Sequence, residues 1–207
     1  MIRSISIAAL LLATAALSDA QDNAWSQWRG PRFTGYAPSA RNLPAKWSET
    51  ENQNIRWKAK MPSWSAATPA VWGDTIYVLS AEEGFVNPTY DMRKLSRAPE
   101  KSSDKILLIA LDRKSGKERW RTPIDEGNQL FRKQNSVSPS PITDGKHIWI
   151  MTGNVRLVCV EKSGKIAWKR DFVQDYGQVG LNHGYASTPL LDGNRLYVQV
   201  VHGYRSE

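Results

Sequence analysis

The sequence predicts an all-β chain made of four-stranded blades set radially, a β-propeller of which about three blades' worth is present. Three observations carry that prediction. Ser115-Gly116-Lys117-Glu118-Arg119-Trp120 returns 48 residues later as Ser163-Gly164-Lys165-Ile166-Ala167-Trp168. A proline followed four residues on by glycine, and then by β-formers, occurs three times: Pro69, Gly73 and Ile76 to Leu79; Pro141, Gly145 and Ile148 to Ile150; Pro189, Gly193 and Leu196 to Val198. The apolar spacing has period two, which excludes helical repeats of the ankyrin or tetratricopeptide kind. A unit of this length cannot bury its apolar face alone, so it must stack on its neighbours. Parallel β-helices, the main rival, have shorter coils and lack a four-strand rhythm closed by tryptophan.

Each element follows from local chemistry. Residues 1–20 read as a signal peptide: Arg3 opens it, Ile5 to Leu17 is almost wholly apolar, and Ala20 offers a small residue at the cut. That apolar run is too short to span a bilayer. Residues 21–54 form an N-terminal leader. The propeller portion covers 55–207 and opens on Trp57, which resembles the closing strand of an earlier unit. From Pro69 to Pro141 is 72 residues, 24 more than one period, and the excess is placed in an inserted loop at about 82–104, between the second and third strands of its blade.

The unit from Pro139 to Lys169 shows the grammar most clearly. Pro141 stands near a strand start, where its missing N–H does little harm. A turn at Thr143–Lys146 leads into His147–Thr152, Gly153-Asn154 reverses the chain into Arg156–Val160, and Glu161–Gly164 turns it again into Lys165–Lys169. In the preceding unit, Asp112 and Ser115 can accept turn amides while Gly116 tolerates positive φ, which makes the Ser-Gly turn a hairpin and docking device. The indoles of Trp120 and Trp168 would cover the joint to the neighbouring blade. Two blades are nearly complete and a third is half present, so the chain is expected to be the N-terminal part of a longer seven- or eight-bladed ring, or to associate.

Few function classes gain support from composition. The net charge is +8, unchanged by removal of Arg3 and Asp19 together, but the basic residues are spread through turns and mixed with acids. Nucleic acid is therefore not an expected partner. Cys159 is the one cysteine, so no internal disulfide forms, and its place between Val158 and Val160 reads as a packed strand thiol. The three histidines, His147, His183 and His202, show no metal-ligand spacing. His183 sits in the loop Asp175–Tyr185 with Gly177, Gly180 and Asn182, where an imidazole could act as a base, yet no carboxylate at a telling spacing orients it. Asp125, Glu126 and Asn128 offer oxygen ligands without the spacing of a calcium loop.

Ala110-Leu111-Asp112-Arg113-Lys114-Ser115-Gly116-Lys117-Glu118-Arg119-Trp120 resembles the tryptophan-docking repeat of pyrroloquinoline-quinone-type propellers, the quinoprotein alcohol dehydrogenase-like family. Val160 to Trp168 is a looser copy with Glu161 in the place of Asp112. Trp25-Ser26-Gln27-Trp28-Arg29-Gly30-Pro31-Arg32, with Leu43-Pro44 and Trp47, resembles the leader of exported bacterial members. The resemblance implies a propeller and divides on function. Its enzymes are alcohol or sugar dehydrogenases with quinone and calcium on the propeller axis; its non-enzymatic members include a protein-binding assembly lipoprotein. The methanol-type enzymes also use adjacent cysteines, which lone Cys159 cannot supply.

The expected function is an exported, periplasmic or secreted, binding or scaffold module for a protein, cell-envelope or glycan partner. No catalytic residue, metal ligand or cofactor is assigned, and no transmembrane anchor is expected in the mature chain. The alternative is a dehydrogenase dependent on pyrroloquinoline quinone and calcium, its active-site residues mostly in blades beyond residue 207.

Overall fold

The structure is a computed structural model that describes residues 24–83, 104–128, 130–131, 134–177, 179 and 185–201. The expected signal peptide, most of the inserted loop, and Asn182, His183 and His202 lie outside the described residues.

Two four-stranded antiparallel sheets form the frame. The first runs β1 (Ala70–Trp72), β2 (Thr75–Ala81), β3 (Lys105–Asp112) and β4 (Glu118–Glu126), each paired with the next in the chain. A short hairpin, β5 (Leu130–Phe131) and β6 (Gln134–Asn135), leads to the second sheet. That sheet is β7 (Ile142–Thr143), β8 (His147–Met151), β9 (Arg156–Glu161) and β10 (Ile166–Asp171). A one-turn helix, α1 (Phe172–Tyr176), follows, capped by the Asp171 carboxylate, which accepts from the Val173 and Gln174 amides. The hairpin β11 (Leu190–Asp192) and β12 (Arg195–Tyr197) opens a third unit. These are the expected blades: a meander of four strands per repeat, with β2 ending at Ala81 and β3 starting at Lys105.

Period-two alternation gives each sheet two apolar faces. Tyr77, Leu79, Ile106, Leu108 and Ile124 of the first blade pack on Ile148, Ile150, Val158 and Val160 of the second. The opposite face of the first blade, Leu107, Ile109 and Leu111, is covered by Ala59 and Met61. The far face of the second blade carries Met151 and Leu157 under Phe172, Tyr185, Leu196 and Val198. All of these strand residues except those from the third unit are buried or nearly so, and at roughly 25 cal/mol per Å² of apolar surface such faces dominate the stability of the stack.

The joints between blades follow from the turn chemistry. In the β3–β4 turn, Asp112 Oδ1 accepts from the Ser115 amide (2.8 Å), the Ser115 hydroxyl (2.7 Å) and the Lys114 amide (3.1 Å). Gly116 has φ +71°, and a Cβ there would lie 2.4 Å from the Trp57 ring. Gly164, in the matching β9–β10 turn, would meet the Trp120 ring at 2.9 Å. The repeated Ser-Gly thus marks where an indole lies flat on a bare backbone. Each closing strand is bulged one residue before its tryptophan, at Arg119 and Ala167, which aims the indole out of the sheet.

Two expectations change in detail. Residues 55–60 form no assigned strand, although the Trp57 indole docks as a closing-strand tryptophan does and donates its Nε1–H to the Arg113 carbonyl (3.0 Å). Trp168 does not cover a joint among the described residues: it is 43% exposed.

Candidate functional site

The first strands β1, β7 and β11 lie side by side, with their free edges turned away from the rest of each blade. Each of these edges presents an amide two residues after the repeated proline, at Val71, Thr143 and Leu191. Three consecutive leader residues accept from all three. Trp25 and Val71 exchange both backbone bonds (2.9 and 2.8 Å), the Thr143 amide donates to the Ser26 carbonyl (2.9 Å), and the Leu191 amide donates to Gln27 Oε1 (3.4 Å). Ala24, Ser26 and Gln27 are buried. The leader therefore runs across the inner edge, one residue per blade.

A second thread joins the same strands. The residue before each repeated proline is Thr68, Ser140 or Thr188, held extended by the proline that follows. The Thr68 amide donates to Ser140 Oγ (2.9 Å), and the Ser140 amide donates to Thr188 Oγ1 (2.9 Å). The proline marked this position in the sequence; the hydroxyl beside it, repeated at the same spacing, was the signal that sequence reasoning passed over. The Trp72–Gly145 contact has no such signal, since Trp72 has no counterpart in the later repeats, where Asp144 and Asp192 stand instead. A Cβ on Gly145 would stand 2.2 Å from Trp72 Nε1.

The oxygen groups noted in the sequence are largely committed. Asp125 Oδ1 accepts from Arg156 (2.7 Å), while its Oδ2 accepts from the Thr152 hydroxyl (2.7 Å) and the Asn154 amide (3.0 Å). Its side chain is only 4% exposed. Arg156 also reaches Asp171 (3.0 Å), so one guanidinium fastens the end of the first blade to the end of the second. Asn128 is buried with its Oδ1 accepting the Ser136 amide, and Glu126 is exposed. Among the described residues no three of His, Cys, Asp and Glu converge as metal ligands. Of the acids noted in the sequence, Asp125 has its oxygens taken up by Arg156, Thr152 and Asn154, and the edge of the first strands is lined by the chain's own leader.

The other candidates are framework. Cys159 is buried in β9, and burial, with Asp144 and Glu161 adding to it, pushes its thiol up to about 11. Of the loop before the third unit, Asp175 pairs with Arg170, and Tyr185 is buried with its hydroxyl donating to the Gln199 carbonyl (2.8 Å). Burial pushes the Tyr185 phenol up to about 12. These groups can bind and fasten, but none pairs a base with a nucleophile.

A groove of about 870 Å³ lies between the second blade and the β11–β12 hairpin, bordered by Trp149, Trp168, Phe172 and Leu196. No helix among the described residues is long and apolar enough to cross a membrane.

Fold and joints together define a partial β-propeller with tryptophan-docked blades. Residues 103–204 match the family model described as outer membrane protein assembly factor BamB, which supports a β-propeller of the pyrroloquinoline-quinone repeat type over that stretch. Among solved structures, a europium-containing methanol dehydrogenase is similar at 17% identity with a TM-score of 0.26, the match covering 52% of this chain. The chain spans about a quarter of the length of that enzyme, the match covering 24% of it. No curated protein matches the chain significantly.

Proposed function

We propose that this chain is an exported binding or scaffold module that holds a protein, cell-envelope or glycan partner on the loops of a propeller frame. The observation that carries the reading is the leader across the inner edge. Trp25, Ser26 and Gln27 take up the first-strand amides at the edge nearest the propeller axis, where the quinone enzymes of this family hold their cofactor, which favours a frame over a redox centre. Saturation of Asp125 by Arg156, Thr152 and Asn154 supports the same reading. Rigid strands presenting variable loops suit recognition. Export rests on residues 1–20, and N-terminal sequencing of the mature protein should begin at Gln21.

The test is reconstitution of the protein with pyrroloquinoline quinone and calcium, followed by the visible spectrum and by dye reduction with alcohols and sugars. The scaffold reading expects no stoichiometric uptake and no dye reduction. Saturable one-to-one uptake with substrate-dependent reduction would establish the dehydrogenase instead.

A further inference from the structure

Basic residues that the sequence scatters through turns are gathered by the fold on one face. In each complete blade the turn after the first strand abuts the turn after the third. The Arg113 amide donates to the Asp74 carbonyl, and the Lys162 amide to the Lys146 carbonyl, both at 2.9 Å. Neighbouring blades bring like turns together. Trp72 lies against Gly145 of the β7–β8 turn, and Trp120, which closes the β3–β4 hairpin, lies on Gly164 of the β9–β10 turn. Thr122 Oγ1 also donates to the Gly164 carbonyl (2.6 Å). A propeller's turn face stays open whatever the number of its blades, since blades pack side by side around the ring.

Two of these turns carry the same four residues, Lys114-Ser115-Gly116-Lys117 and Lys162-Ser163-Gly164-Lys165. Their lysines and Lys146 are exposed, and among the described residues none of these side chains lies within ion-pair distance of a carboxylate. The acids of the same turns are engaged inside the protein. Arg119 pairs with both Asp74 and Asp112. Asp144 Oδ1 accepts from the Lys146 and His147 amides (2.8 and 2.7 Å), and Glu161 accepts from the Ser163 hydroxyl (3.3 Å). Each blade therefore presents two unmatched cations that flank a Ser-Gly turn. The half-buried indoles of Trp57 and Trp120 lie beside them, on Gly116 and Gly164.

A lone anion needs one such turn, whereas a turn repeated blade by blade suits a chain whose negative groups recur. No large apolar side chain stands in these turns to enter a bilayer. An indole beside two lysines offers a sugar ring an apolar contact and its acid group a cation. We propose that this face binds an acidic polysaccharide, whose carboxylates meet one Lys-Ser-Gly-Lys turn per blade while its sugar rings lie against the indoles between them. The acidic glycan is one partner within the recognition reading above, on which this assignment rests.

The probe is polygalacturonate, with a carboxylate on every sugar, titrated calorimetrically into the full chain at low salt. We expect saturable binding that weakens as salt is raised, and none with neutral dextran. The galacturonate monomer should bind at least about a hundredfold more weakly per carboxylate. Lys114→Gln with Lys162→Gln removes one lysine from each turn and should weaken binding about fivefold or more. Lys105→Gln with Lys169→Gln removes the same charge from strands away from the turns, and should change binding by less than about twofold. All four lysines are exposed, so both variants keep the fold. Absence of binding, equal losses in the two variants, or equal affinity for poly-glutamate or phosphatidylglycerol vesicles would each overturn the assignment. Such a failure removes the acidic glycan alone, whereas quinone uptake with dye reduction would remove the recognition reading itself.

Discussion

Replacing Gly145 by alanine separates the two things a docking glycine does. Gly145 has φ +87°, and its added Cβ would stand 2.2 Å from Trp72 Nε1 and 2.4 Å from Cε2. Gly73, in the β1–β2 turn, has φ +56° with no heavy atom within 4 Å of the same added atom. Gly73→Ala should therefore cost only the left-handed backbone penalty, about 1 kcal/mol after the gain from a stiffer unfolded chain. Gly145→Ala must also push the indole off the turn. Trp72 is half-buried, so we take the lower part of the range for lost aromatic packing, about 2 kcal/mol, and expect about 3 kcal/mol in all. Trp72→Ala alone should cost about 3 kcal/mol, and the double variant about 4 kcal/mol rather than the additive 6. Urea unfolding followed by circular dichroism gives all four values. Equal costs for Gly73→Ala and Gly145→Ala, or an additive cycle, would refute the docking argument.

Other perturbations test the fasteners. Arg156→Met leaves the buried Asp125 carboxylate with only Thr152 and Asn154, and should cost about 2–3 kcal/mol in the same assay, less than a fully enclosed pair because Arg156 itself reaches water. Cys159 should resist thiol reagents at pH 8 in the folded protein and react fully in urea, since its buried thiol titrates far above that pH. Arg119 bonds Asp74 and Asp112 together, and its guanidinium holds both carboxyls below the usual range. Carboxyls depressed by folding stabilise above their unfolded value of about 3.9 and lose that contribution as the pH falls. The urea midpoint should drop below about pH 4, and Arg119→Gln should flatten that drop.

Much of the frame was legible because its rules are local. The Ser-Gly turns, the prolines and the alternation of Ile148, Trp149 and Ile150 each specify a few neighbouring residues, and they placed β7 to β10 within a residue or two. Trp120 was legible as a joint because Gly164 repeats at the period of Gly116. The inner edge was not legible. Trp25, Ser26 and Gln27 meet Val71, Thr143 and Leu191 across long sequence separations; the first two contacts join backbone groups that every residue type carries, and only the third uses a side chain, Gln27 Oε1. The Arg156 link to Asp125 and Asp171 was hidden similarly, since charged residues abound here and only the fold selects the three that meet. Trp57 shows the converse: its side chain docks as the repeat implies, while its backbone lacks the strand that the repeat implied.

The leader lines the inner edge, and native-state hydrogen exchange at Val71, Thr143 and Leu191 tests that placement most directly. The backbone bonds from Val71 to Trp25 and from Thr143 to Ser26 predict protection close to that of the β2–β3 ladder, with Leu191, held only by the Gln27 side chain at 3.4 Å, exchanging faster. Exchange of all three at the rate of open edge amides would contradict it.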